Sequence, residues 1–122
     1  MAAVLIVDDE ENHRRSLAIG LRLESFEVHE AADGEEALRI IEGGAEVDVA
    51  IVDLMMPGIN GLDLTRRLRT HRPDVRVVLT SAYHLSERQI ERADVGAMGF
   101  LPKPYHLDDL VGFLRRKLDS IL

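Results

Sequence analysis

Ala3-Val4-Leu5-Ile6-Val7-Asp8-Asp9 and Val47-Asp48-Val49-Ala50-Ile51-Val52-Asp53 are the two stretches on which the fold turns. Each is a short apolar run, rich in β-branched residues, that stops at acid. Such runs read as buried parallel strands. Their carboxyl ends converge where open α/β sheets bind ligands. Carboxylates gathered there repel one another: two unit charges about 4 Å apart cost roughly 4 kcal/mol at an effective dielectric of about 20. A fold keeps Asp8, Asp9 and Asp53 together only if something positive compensates them. A hard divalent cation answers that need, since Mg²⁺ prefers oxygen ligands and keeps several waters.

Outward from these strands, strand-like and helix-like patterns alternate along the whole chain. The first strand, 3–7, leads to a helix over about 11–24, with Leu17 and Leu21 one turn apart. A short second strand, 28–31, lies close to a sheet edge. Asp33-Gly34 turns into a helix over about 35–42, carrying Ala37, Leu38 and Ile41 on one face, and Gly43-Gly44 ends it. The third strand is 47–52. Pro57-Gly58 and Asn60-Gly61 mark a loop, followed by a helix over about 62–70 with Leu64 and Leu68 inward. A fourth strand, 75–80, follows Pro73-Asp74. Ser86 caps a short, sparsely apolar helix to about residue 93. Residues 99–101 make a brief fifth strand. The last helix starts near Leu107, where Leu107, Leu110, Val111, Leu114, Leu118 and Ile121 follow helical spacing. The alternation implies one α/β domain over 1–122, a doubly wound five-stranded parallel sheet flanked by five helices with right-handed connections.

The composition narrows the function. The 122 residues are 46% hydrophobic and 30% charged, with a formal net charge of −7. That balance argues against binding a nucleic-acid backbone, which wants a basic face. No cysteine is present, which excludes disulfides and thiolate metal sites and fits a reducing cytoplasm. The apolar opening, 1–7, lacks a basic leader and is too short for a signal or membrane segment. His13, His29, His71, His84 and His106 fall on different elements, so a histidine metal cluster is not expected.

Four features fall at strand ends: Asp8-Asp9, Asp53, Thr80-Ser81-Ala82, and Lys103-Pro104. Their order and context resemble the receiver domain of two-component response regulators, the CheY-like family. The matching residues are Val7-Asp8-Asp9-Glu10, Asp53 through Gly61, Ser81-Ala82-Tyr83, and Gly96 through Tyr105, so the resemblance covers essentially the whole chain. It implies a flavodoxin-like sheet of strand order 2-1-3-4-5. It also implies that Asp53 is the phosphoacceptor, a carboxylate being a competent nucleophile toward phosphorus. Mg²⁺ would be bound by Asp9, Asp53 and the Met55 backbone carbonyl, with Asp8 acting directly or through water. Lys103 would give a mobile positive charge to a phosphoryl oxygen, across a cis Lys103-Pro104 bond. Gly58 and Gly61 would leave room for a bulky donor. Either Thr80 or Ser81 offers a hydroxyl. The family pattern, with Ala following, selects Ser81, leaving Thr80 an ordinary strand residue on the other side.

The resemblance further implies a switch. Ser81 moves to the phosphoryl group, Phe100 turns inward, and the face of the fourth helix, fifth strand and fifth helix changes shape for an output partner or domain. Met55 and Tyr83 hold the positions that tune phosphate lifetime. Neither orients a water, so slow self-dephosphorylation is expected. The donor would be a histidine kinase or histidine phosphotransfer protein, docking over the acidic pocket among Asn12, His13, Ser16, Ile59, His84, Pro104 and Tyr105. His13, Ser16 and Tyr105 are the candidates for partner choice. A phosphorylation-linked homodimer stays open, although Met98-Gly99 replace the acidic pair common in regulators that dimerise through the fourth helix. Arg88, Arg92, Arg115 and Arg116 read more simply as solvated helix faces. Two rivals remain. A haloacid-dehalogenase-type phosphatase wants an Asp where Met55 stands. An unphosphorylated receiver-like scaffold commonly lacks part of the acid cluster or the Lys, and this chain keeps both.

Overall fold

The computed structural model describes residues 2–82 and 99–119. Five parallel strands, β1 (Ala3–Val7), β2 (Glu27–Ala31), β3 (Val49–Asp53), β4 (Arg76–Ser81) and β5 (Gly99–Pro102), form one sheet in the order β2-β1-β3-β4-β5. The described helices are α1 (Glu11–Leu23), α2 (Gly34–Glu42), α3 (Gly61–His71) and a C-terminal helix, Leu107–Asp119. The expected short helix beginning at Ser86 lies outside the described residues.

Side chains alternate across a strand with period two, and here both faces are covered. Leu5, Val7, Ala50, Val52, Val77 and Leu79 pack against Ala37 and Ile41 of α2 and Leu64 and Leu68 of α3. Val4, Ile6, Val49, Ile51 and Val78 pack against Leu17, Ala18 and Leu21 of α1 and Leu110, Val111 and Leu114 of the C-terminal helix. Every residue of β1 and β3 is buried, which is why these strands carry no polar alternation. β2 lies at the edge, and only Ala31 of it is fully buried.

Register decides where the strands stop. Val7 stands opposite both Ala31 and Val52, and Asp53 opposite Thr80. The acids that follow β1 and end β3 therefore emerge at one rim. The third strand begins at Val49 rather than Val47, because the Asp48 side chain enters the hydrogen bonding at its start. Its carboxylate accepts the Ala3 N–H at 2.7 Å, its own N–H donates to the Ala3 carbonyl, and its carbonyl accepts the Arg76 N–H. Side-chain caps fix the starts of α2 and α3. Asp33 accepts the Glu36 N–H at 2.8 Å, and Asn60 accepts the Asp63 N–H at 3.0 Å. Gly43 caps α2, and Gly44 follows with φ +86°.

Candidate functional site

Asp8, Asp9 and Asp53 converge so that one carboxylate oxygen from each lies within 4.8 Å of the others. Asp8 and Asp53 are buried, and Asp9 is exposed. Asp8 Oδ1 accepts the Glu10 N–H at 2.9 Å. Its Oδ2 takes Lys103 Nζ at 3.2 Å and His13 Nδ1 at 2.7 Å. The Asp8 carbonyl accepts from the Arg14 guanidinium at 2.8 Å, while Arg14 Nε lies 3.4 Å from Glu30 of the edge strand. Asp53 Oδ1 accepts the Met55 N–H at 3.0 Å, and its Oδ2 accepts from Lys103 Nζ at 2.9 Å. Lys103 is anchored by its own N–H, which donates to the Ser81 carbonyl at 2.8 Å. The Lys103-Pro104 bond is cis. One lysine thus spans the acids that β1 and β3 deliver.

The charges answer one another. Burial pushes the Asp8 carboxyl up, but the Glu10 N–H, His13 and Lys103 together hold it below the usual carboxylate range. Burial alone would depress the Lys103 ammonium; its bond to Asp53 and the charges of Asp8 and Asp53 raise it instead. Tyr105 is pushed well above its ordinary value by burial, with Asp8 and Asp53 adding to the effect. The compensating positive charge assigned to a metal from sequence is therefore supplied in part by the chain itself. Asp9, together with the Oδ1 atoms of Asp8 and Asp53, each accepting a single backbone N–H, offers a hard-oxygen donor set suited to Mg²⁺.

The walls come from neighbouring turns. Gly61 sits where a Cβ would stand 2.5 Å from the Asp53 carbonyl oxygen and 2.7 Å from Leu54 Cα. Its small size serves the close return of the β3–α3 loop, not space for a donor, and this corrects the sequence expectation. Gly58 has φ +78° and open space around it. Asp9, Asp33, Glu35, Pro57 and Ile59 line a cavity of about 310 Å³ beside the acids. Ser81 is fully buried at the end of β4, and Thr80 is buried next to it. Strand alternation puts Thr80 on the side of Val78 and Ser81 on the side of Leu79. Phe100 pairs with Leu79 in register and packs on that second side, so Ser81 and Phe100 share one face of the sheet. The Met55 side chain is exposed, and its amide is the part that meets Asp53.

His13, Ser16 and Tyr105, picked out for partner choice, do come together. With Leu17 and Leu107 they line a shallow groove of about 170 Å³ between α1 and the start of the C-terminal helix. His13 is turned inward to Asp8, however, and Tyr105 meets its ring edge-on with centroids 5.9 Å apart. Arg115 is exposed, as expected, and on that solvated face it pairs with Glu24, the C-cap of α1, at 3.0 Å. Tyr83, His84, Arg88, Arg92 and Met98 lie outside the described residues. Sequence reasoning missed the His13–Asp8 and Arg14–Asp8 contacts. Their signal was position: both residues sit in the first turn of α1, where side chains tilt back toward the helix start and the preceding acids.

This geometry has counterparts. Residues 4–115 match the family model described as the response regulator receiver domain. Over 120 residues the chain is 37% identical to the sensor kinase CckA of Brucella abortus, covering 98% of this chain and 13% of that protein. A receiver domain protein (CheY-like) from Methanospirillum hungatei superposes with a TM-score of 0.90 at 28% identity, over 98% of this chain and 95% of that one. The response regulator protein TrrA from Thermotoga maritima, solved in complex with Mg(2+)-BeF, gives a TM-score of 0.84 at 32% identity, over 96% of this chain and 99% of that one. The chain spans 13% to 50% of the length of the curated relatives it matches. Three clustered carboxylates, two of them bridged by one lysine, on a sheet of this order, thus agree with the sequence match: the chain belongs to the response regulator receiver domain family of two-component systems.

Proposed function

We propose that this domain accepts one phosphoryl group on Asp53 from a phosphohistidine of a histidine kinase or histidine phosphotransfer protein, and that it does so in the cytoplasm with Mg²⁺. The observation that carries the reading is the placement of Asp53: buried, beside Asp8 and Asp9, with Lys103 on its Oδ2. A carboxylate oxygen of Asp53 attacks phosphorus as the donor N–P bond breaks, and the imidazole leaves with that electron pair. Asp8, Asp9, Asp53 and the Met55 backbone carbonyl would hold the ion. Bound there, Mg²⁺ supplies charge neutralisation for the transferring phosphoryl oxygens. Lys103 exchanges Asp53 Oδ2 for a phosphoryl oxygen, and the Ser81 hydroxyl donates to another.

Phosphorylation adds roughly −1.5 to −2 charge and three strong acceptors. Ser81 and Phe100 share a sheet face, which supports their moving together and reshaping the surface of β5 and its flanking helices for an output partner or domain. A phosphorylation-linked homodimer through that surface belongs to the same proposal, as do slow self-dephosphorylation and partner choice at His13, Ser16 and Tyr105. Incubation with acetyl phosphate, with and without Mg²⁺, tests the core of it. One phosphoryl adduct is expected by intact mass, with Mg²⁺ only, and none on D53N. Repeated turnover of the donor without an adduct would mean a phosphatase. No adduct and no turnover would mean a scaffold.

A further inference from the structure

The Asp8 carboxylate carries more than the charge of the site needs. Its Oδ2 takes two donors, His13 Nδ1 at 2.7 Å and Lys103 Nζ at 3.2 Å, while Oδ1 takes only the Glu10 N–H. A carboxylate oxygen offers about two acceptor positions. Oδ2 is therefore filled, and the open position of Asp8 is on Oδ1. The ring that fills it is itself held. His13 leaves the first turn of α1, which lies against the C-terminal helix, and Tyr105 braces its ring at 72°. Its side chain is one-third exposed, and the groove behind it is lined by Ser16, Leu17 and Leu107. Because an ionised carboxylate accepts only, Nδ1 carries the donated proton.

We propose that His13 is a positioning residue for Mg²⁺: its Nδ1–H pins Asp8 Oδ2 so that Oδ1 faces Asp9 and Asp53 as a metal-facing oxygen. The inference rests on the Mg²⁺-dependent reading above. Lys103 is the longer of the two Oδ2 contacts, 3.2 Å against 2.7 Å, and its ammonium is shared with Asp53 and, in the proposed reaction, with a phosphoryl oxygen. His13 is the side-chain donor whose bond is given to Asp8 alone. Outer donors of this kind orient metal ligands, and their loss typically costs about 10–100-fold in metal affinity.

Magnesium titrations of the chain, followed by amide NMR shifts of Asp8, Asp9, Asp53 and Met55, test the assignment on wild type, H13N, H13L and H13Q. Asparagine places an amide N–H where Nδ1 stands; glutamine places it one bond farther out. H13N is expected to bind Mg²⁺ within about twofold of wild type, and H13L and H13Q about tenfold more weakly, with melting temperatures in EDTA confirming the fold. In a D8N background the H13L effect should vanish, which a general packing defect would not do. The proposal is overturned if H13L binds Mg²⁺ as tightly as wild type, or if H13N and H13Q lose equally. If the wild type takes up no Mg²⁺ at all, the proposed function itself fails, and that result is distinct from the others.

Discussion

Lys103 Nζ stands 2.9 Å from Asp53 Oδ2 and 3.2 Å from Asp8 Oδ2, so a single ammonium bridges two buried carboxylates, one just past β1 and one at the end of β3. The side chain is mostly buried, and removing it leaves those carboxylates facing each other. K103M is expected to lower stability by about 1–3 kcal/mol in urea unfolding with EDTA present. Millimolar Mg²⁺ should return part of the loss. An unchanged urea midpoint would mean that the acids do not depend on Lys103.

The same pair gives a pH dependence with a definite sign. Asp8 is held below its unfolded value of 3.8, so the unfolded chain takes up the proton first. Its contribution is full above that value and is lost as pH falls through the lower folded one. Lys103 is raised above 10.5; its contribution is full below that value and is lost as pH climbs through the higher folded one. Urea midpoints in EDTA should fall at both ends. D8N should flatten the acid limb and K103M the alkaline limb.

Gly61→Ala tests the close return after β3. A Cβ there meets the Asp53 carbonyl and Leu54 Cα, both backbone, so neither can swing aside. A loss of about 2–4 kcal/mol is expected, with displaced amide shifts at Asp53 and Met55. If the variant is as stable as wild type, the loop approaches β3 less closely than described.

Ser25, just after α1, has φ +70°. A left-handed conformation costs a residue with a Cβ roughly 1–2 kcal/mol, and glycine avoids that cost while losing some chain entropy. S25G should therefore gain about 0.5–1 kcal/mol by chemical denaturation. Ser25 is exposed and makes no contact with the acids, so phosphoryl uptake should not change.

Much of this molecule was legible because two signals are local. The strands β1 and β3 announce themselves by unbroken apolar runs, and Asp33, Asn60 and Gly43 punctuate the helices where the chain does turn. The spacing of Leu110, Val111 and Leu114 gave the buried face of the C-terminal helix, and Asp8, Asp9, Asp53 and Lys103 were readable as a set. What was not legible depends on three-dimensional neighbours. Val47 and Asp48 look like strand residues until the Asp48 carboxylate takes a backbone N–H of β1. Gly61 looks like an opening for a ligand until the Asp53 carbonyl is found against it. His13 looks like surface until its place in the first turn of α1, tilted back toward the acid five residues earlier, is taken into account.

The edge strand β2 is defended by charge. Glu27 is exposed, Glu30 is drawn to Arg14 and Arg22, and the Arg22 guanidinium covers the Val28 carbonyl at 3.1 Å. A foreign strand aligning along that flank would have to evict a guanidinium and bury acid beside its own backbone. This side of the molecule is consequently a poor template for fibre growth, so crowded copies of the chain have little reason to zip together there.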